Sequence, residues 1–183
     1  MEKLYELFPD YARDLKINLQ NVLKQDELTE QQTWGTAVAS AVASRNPQLI
    51  GAVLAQAGRH LSPEAMGAAK SAAAIMGMNN IYYRFQHLSE NKRYAEIPAR
   101  LRMQAIRSHG SDPVDFELWC TAVSALNGCG ACVTSHENVL RGKGVTEETI
   151  HAALRIASVI HGAAVVLDTE AVAIPDGKAV TAS

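Results

Sequence analysis

Apolar and polar positions alternate along this chain with the period of a helix. Tyr11, Leu15, Leu19, Val22 and Leu23 form an apolar stripe in a segment opened by Asp10. Start and stop signals divide the rest of the chain. Thr29 with Gln32 three residues later has the pattern of a capping box and predicts a helix over 30–44. Asn46-Pro47 ends that helix and opens another, with asparagine as cap and proline at the first helical position. Ser62-Pro63-Glu64 repeats the signature, and so does Asp112-Pro113, whose helix runs to about Leu126. Gly142 and Gly144 close the next helix, and Thr146-Glu147-Glu148 opens the last long one. Strand signals are poor. Only 165-VVLDTEAVAI-174 has a β-like composition, and it lacks a partner; the tail 175–183 reads as loosely ordered. The expected fold class is all-α, with alanine-rich helices able to approach closely.

The helical pattern also occurs twice. Trp34-Gly35-Thr36-Ala37-Val38 matches Trp119-Cys120-Thr121-Ala122-Val123, and 61-LSPEAMGAA-69 matches 145-VTEETIHAA-153 at almost the same offset. Tryptophan is rare, and the caps agree as well. The expectation is one all-helical domain over 1–174, built from two repeats at about 28–90 and 113–170 around a shared core.

With 183 residues, the chain is long enough to bury roughly 70% of its unfolded surface, so it needs no metal or disulfide to fold. Charged residues are 20% of the chain, the formal net charge is −2, and the basic residues are scattered. That balance argues against nucleic acid and against an anionic membrane. The first residues, MEKLYELFPDYARDLK, carry charges throughout and have no apolar core of a signal peptide. The apolar stretch 152–167 is interrupted by Arg155 and His161 and is too short to span a bilayer. The chain therefore reads as cytoplasmic, a reducing compartment in which paired cysteines are more often catalytic or metal-binding than structural.

Two of the three cysteines lie in 128-GCGACVTSHENVL-140, with His136 four positions after Cys132. A metal clip, a structural disulfide and a working dithiol all compete for this pattern. Structural zinc wants four ligands from two separated pairs, and there is no second CxxC. The first repeat has Ser44-Arg45-Asn46-Pro47 at the matching place, so the fold does not require the cysteines. Asn127-Gly128 breaks the preceding helix, which sets Cys129 at the start of a helix and Cys132 in its first turn, where the dipole favours a thiolate. His136 shares the face of Cys132 and can manage protons there. Glu117 and Glu137 are candidates to orient it. If the two helices fold back on each other at Asn127-Gly128, Glu117 comes to the level of His136 and is the preferred partner.

These residues resemble a known signature. Glu117, eleven residues, Cys129-Gly130-Ala131-Cys132, three residues and His136 are similar to the Glu-x11-Cys-x2-Cys-x3-His pattern of the alkyl hydroperoxidase D family, within the carboxymuconolactone decarboxylase-like superfamily. The resemblance covers most of 1–174 and includes 28-LTEQQTWGTAVASA-41. It implies a duplicated all-helical bundle and an antioxidant, peroxidase-type oxidoreductase with no bound cofactor. The dithiol would reduce hydroperoxides, or a partner peroxiredoxin (the C component of alkyl hydroperoxide reductase). Electrons would come from the lipoyl group of a 2-oxoacid dehydrogenase acyltransferase. The resemblance also implies a homo-oligomer, a trimer or higher. Carried over residue by residue, Cys132 meets peroxide, Cys129 resolves it, and His136 with Glu117 forms the proton relay. The family pattern has a histidine just before the second cysteine, where this chain has Ala131. The competing readings are a general CxxC disulfide reductase with another donor, and a redox-sensing binding module.

The remaining marked residues have plainer expectations. Cys120 reads as a small buried side chain, Trp34 and Trp119 as core packing, and His151 and His161 as core or interface histidines. The cluster 82-YYRFQH-87 reads as a contact between protomers or a rim of the site.

Overall fold

The computed structural model describes residues 1–172 and contains only helices and connecting turns among them. The α-helices are α1 (Glu2–Tyr5), α2 (Arg13–Asn21), α3 (Glu30–Ser44), α4 (Pro47–Ala57), α5 (Pro63–Leu88), α6 (Arg93–Glu96), α7 (Pro113–Leu126), α8 (Gly130–Gly142) and α9 (Glu147–Glu170). The fold class is all-α, as the sequence indicates.

The caps explain the boundaries. Thr29 accepts from the Gln32 backbone N–H while the Gln32 side chain accepts from the Thr29 N–H, closing both halves of a capping box on α3. Asn46, Ser62 and Asp112 cap α4, α5 and α7, each followed by proline. Gly144, at φ +80°, turns the chain from α8 into α9.

Helix α3 lies at the centre, packed against α5, α7 and α9. Alanines at 37, 39, 41, 69, 152, 163 and 164 are buried and let the helices approach closely. The tightest approach is at Gly35, where any Cβ would run into the indole of fully buried Trp119. The amino ends of α3 and α7 are joined by a buried carboxylate. Asp115 accepts from the amides of Gln31 (2.7 Å) and Gln32 (2.9 Å). Helices α3, α4 and α5 are followed by α7, α8 and α9 in the same order, with caps at corresponding points.

Three expectations change. Tyr11 leaves the apolar stripe: it is exposed and its hydroxyl donates to Glu170, while Leu19 and Val22 carry the burial. The β-like stretch is helical through Glu170, because its apolar positions continue the buried face of α9; the tail 175–183 lies outside the described residues. Helix α9 extends beyond 152–167 in both directions, so by length and composition alone it could cross a bilayer; it packs inside the fold against α3, α7 and α2.

Candidate active site

The chemistry-bearing residues meet where α7 turns back into α8. Helix α7 ends at Leu126, and Gly128 takes φ +66°, which glycine adopts without strain. Cys129 is then the N-cap of α8, and its sulfur accepts from the Cys132 backbone N–H at 3.3 Å. Counted from the two tryptophans, Cys129 arrives two residues sooner than Asn46, the cap at the corresponding helix start in the first half. A sulfur therefore stands where the other half has a capping amide.

Cys129 and Cys132 are joined as a disulfide, with Cα atoms 5.3 Å apart. Both are buried, and Cys132 lines a cavity. Both cysteines stand at the amino end of α8, where a helix leaves N–H groups unpaired and its dipole is positive.

His136 lies one turn beyond Cys132, and its Nδ1 is 2.6 Å from Glu117 Oε2 on α7. Both side chains are mostly buried, at 14% and 16% exposure. A carboxylate on Nδ1 fixes the ring orientation and favours the N–H there, leaving Nε2 as the other working nitrogen. Glu137 makes no hydrogen bond or ion pair with the site among the described residues. Thus the structure brings Cys129, Cys132, His136 and Glu117 into one cluster.

That cluster opens on a cavity of about 340 Å³. Met76, Met103, Ile106, Val139, Tyr83 and Ala131 give it apolar walls; Cys132, His136, Glu117, Ser135 and Asn79 supply the polar groups. A larger open groove of about 1020 Å³ lies between α1 and α4, away from the cysteines. Of the walls, Met76, Asn79 and Tyr83 belong to α5, and sequence spacing did not single out the first two. The available signal was Asn79-Asn80, an uncommon amide pair inside a long alanine-rich helix.

The turn carrying the cysteines is held from α5. Asn80 donates to Ser124 Oγ (2.9 Å) and accepts from Asn127 Nδ2 (2.9 Å), and Arg84 donates to the Asn127 carbonyl. Arg84 is thus a brace for the turn. His109, which no sequence motif marks, stacks on Phe116 with ring centres 4.0 Å apart. Burial holds its pKa below the usual imidazole value, against the pull of Glu117 and Asp112.

Cys120 is fully buried, and burial pushes its thiol pKa up, with the Glu117 charge adding to the effect. It has none of the thiolate character of a reactive cysteine. Trp34 and Trp119 are both core residues, Trp34 stacked on His60. Neither His151 nor His161 lies in the core: both are exposed, with His161 Nδ1 3.3 Å from Ser44 Oγ.

The chain is similar to known proteins over most of its length. The model of the carboxymuconolactone decarboxylase family matches residues 92–174. A protein of Solibacter usitatus named alkyl hydroperoxide reductase AhpD is 65% identical over 171 residues, covering 93% of this chain and 97% of that protein. Proteins of the same name from Acidobacterium capsulatum and Streptomyces coelicolor are 56% and 51% identical, over 96% and 94% of this chain and 97% of each relative.

Proposed function

We propose, from the premise that this chain belongs to the alkyl hydroperoxide reductase AhpD family, that its role in alkyl hydroperoxide reduction runs through a dithiol–disulfide cycle of Cys129 and Cys132. The observation that carries the reading is the joined pair at the start of α8, with Cys132 on the cavity and the Glu117–His136 pair beside it.

In the reduced protein, the Cys132 thiolate attacks the terminal oxygen of the hydroperoxide. An S–O bond forms and the O–O bond breaks, with its electron pair going to the alkyl-bearing oxygen. His136, held by Glu117, gives that oxygen its proton, so the alcohol leaves. The Cys129 sulfur then displaces water from the Cys132 sulfenic acid and closes the disulfide. A dithiol reopens it by exchange through a mixed disulfide and is itself oxidised.

The donor we propose is the dihydrolipoyl group of a partner acyltransferase. The mostly apolar cavity leading to Cys132 suits an aliphatic arm ending in a dithiol. The same exchange would serve a partner peroxiredoxin of the AhpC type in the cytoplasm. Two structural readings accompany this one. The chain is one domain made of two repeats, which the matched order of helices and caps supports. It assembles with copies of itself, as a trimer or higher, which the exposed Ile81, Phe85, Leu88 and Ile97 support.

The test is steady-state turnover of cumene hydroperoxide with dihydrolipoamide, against thioredoxin and glutathione as donors. Continuous consumption of dihydrolipoamide supports the reading. A single reaction that stops at the disulfide makes the chain a redox sensor instead, and preference for thioredoxin or glutathione makes it a general disulfide reductase.

A further inference from the structure

Two adjacent asparagines in the middle of α5 have different circumstances. Asn80 is fully buried and its amide is satisfied within the fold, donating to Ser124 Oγ and accepting from Asn127 Nδ2. Asn79, only 4% exposed, lines the cavity that holds Cys132, His136 and Glu117. Its Oδ1 is buried and has no hydrogen-bond partner among the described residues. A buried amide oxygen without a partner is destabilising, and it is a group a bound ligand can satisfy. Elsewhere on the wall Glu117 and His136 are bonded to each other, which leaves Ser135 as another uncharged oxygen acceptor among mostly apolar side chains.

We propose that Asn79 is a substrate-contacting residue whose side-chain carbonyl accepts the terminal O–H of the hydroperoxide and so holds the terminal oxygen at the Cys132 sulfur. This rests on the peroxide reading above. During attack the hydrogen stays on the oxygen that moves to sulfur, so the same contact serves hydroperoxide and sulfenic acid alike. Asn79 takes no proton; the alkyl-bearing oxygen receives its proton from His136. Since every hydroperoxide has this O–H, the contact selects the functional group, while the apolar wall selects the tail.

The experiment is single-turnover oxidation of the pre-reduced protein by hydrogen peroxide and by cumene hydroperoxide, and separately reduction of the disulfide by dihydrolipoamide. Asn79→Leu keeps the side-chain size and removes the acceptor; Asn79→Ala serves if leucine prevents folding. We expect oxidation by either peroxide to slow by about tenfold or more and by the same factor, as for the loss of one hydrogen bond in the reacting complex. Reduction by dihydrolipoamide should fall by a clearly smaller factor than oxidation, since the dithiol enters the same cavity but brings no O–H to Asn79. Unchanged oxidation overturns the proposal. An equal loss in oxidation and reduction overturns it too, since Asn79 would then merely support the cysteine turn. A loss confined to cumene hydroperoxide makes it part of the tail site and also overturns it. If the wild type itself fails to react with either peroxide, the peroxide reading falls, and this inference with it.

Discussion

Glu117 and His136 face each other across the α7–α8 hairpin, with Oε2 and Nδ1 2.6 Å apart and both side chains largely shielded from water. A carboxylate so placed keeps an imidazole in one tautomer and one orientation. Glu117→Gln should keep the fold and lower hydroperoxide turnover by roughly a hundredfold, the lower end expected for a disabled proton-transfer group. His136→Asn should lose at least as much. The double variant should lose no more than His136→Asn alone, because the two act as a unit. Additive losses in kcat/KM would separate them.

The cysteines have distinguishable roles under the proposed cycle. Cys132→Ser should not react with hydroperoxide at all. Cys129→Ser should consume one equivalent and stop, leaving one added oxygen on Cys132 that mass spectrometry detects. If the oxygen appears on Cys129 in the complementary variant, the order of attack is reversed.

Packing between the two halves is most sensitive at Gly35, which lies against the Trp119 indole. Gly35→Ala should destabilise the protein by about 1–3 kcal/mol, the usual cost of overpacking a core. Urea unfolding measures this. Neither Gly35 nor Trp119 lines the cavity, so activity per folded molecule should remain.

Cys120 gives a prediction with a definite sign in pH. Its folded pKa is raised, above an ordinary value of 9.0, by burial first and by the Glu117 charge second. The folded state therefore holds the neutral thiol while the unfolded chain ionises. The stabilising contribution is present in full below pH 9.0 and is lost as pH rises from there toward the folded value. Cys120→Ala should unfold with less dependence on alkaline pH than wild type. An identical pH profile for the two proteins would exclude the effect. In the native protein Cys120 should also resist alkylation under conditions that label reduced Cys132.

Local signals made the helices legible from sequence. Thr29 with Gln32, Asn46-Pro47, Ser62-Pro63 and Asp112-Pro113 each satisfy orphan N–H groups within three residues of themselves, so their meaning does not depend on the rest of the fold. The Cys129–Cys132–His136 spacing is equally local. Glu117 required one more step, the hairpin at Asn127-Gly128, which two adjacent turn residues disclose. The cavity wall was not legible, because Met76, Asn79 and Met103 approach Cys132 only through the register of α5 and the loop after it against α8. Neither the exposure of Tyr11 nor that of His151 could be read from a helical stripe, which gives a periodicity but not the width of the buried face.

Helix α5 belongs by sequence to the first half, yet it furnishes Met76, Asn79 and Tyr83 to the cavity of the second, and Asn80 and Arg84 to the turn beneath the cysteines. Each half is consequently an incomplete tool. A piece beginning after residue 90 would keep the cysteines, the imidazole and the carboxylate but lose a wall of the cavity and the two anchors of the turn. Any cut between residues 90 and 113 therefore parts the two sulfurs from the wall and the anchors that face them.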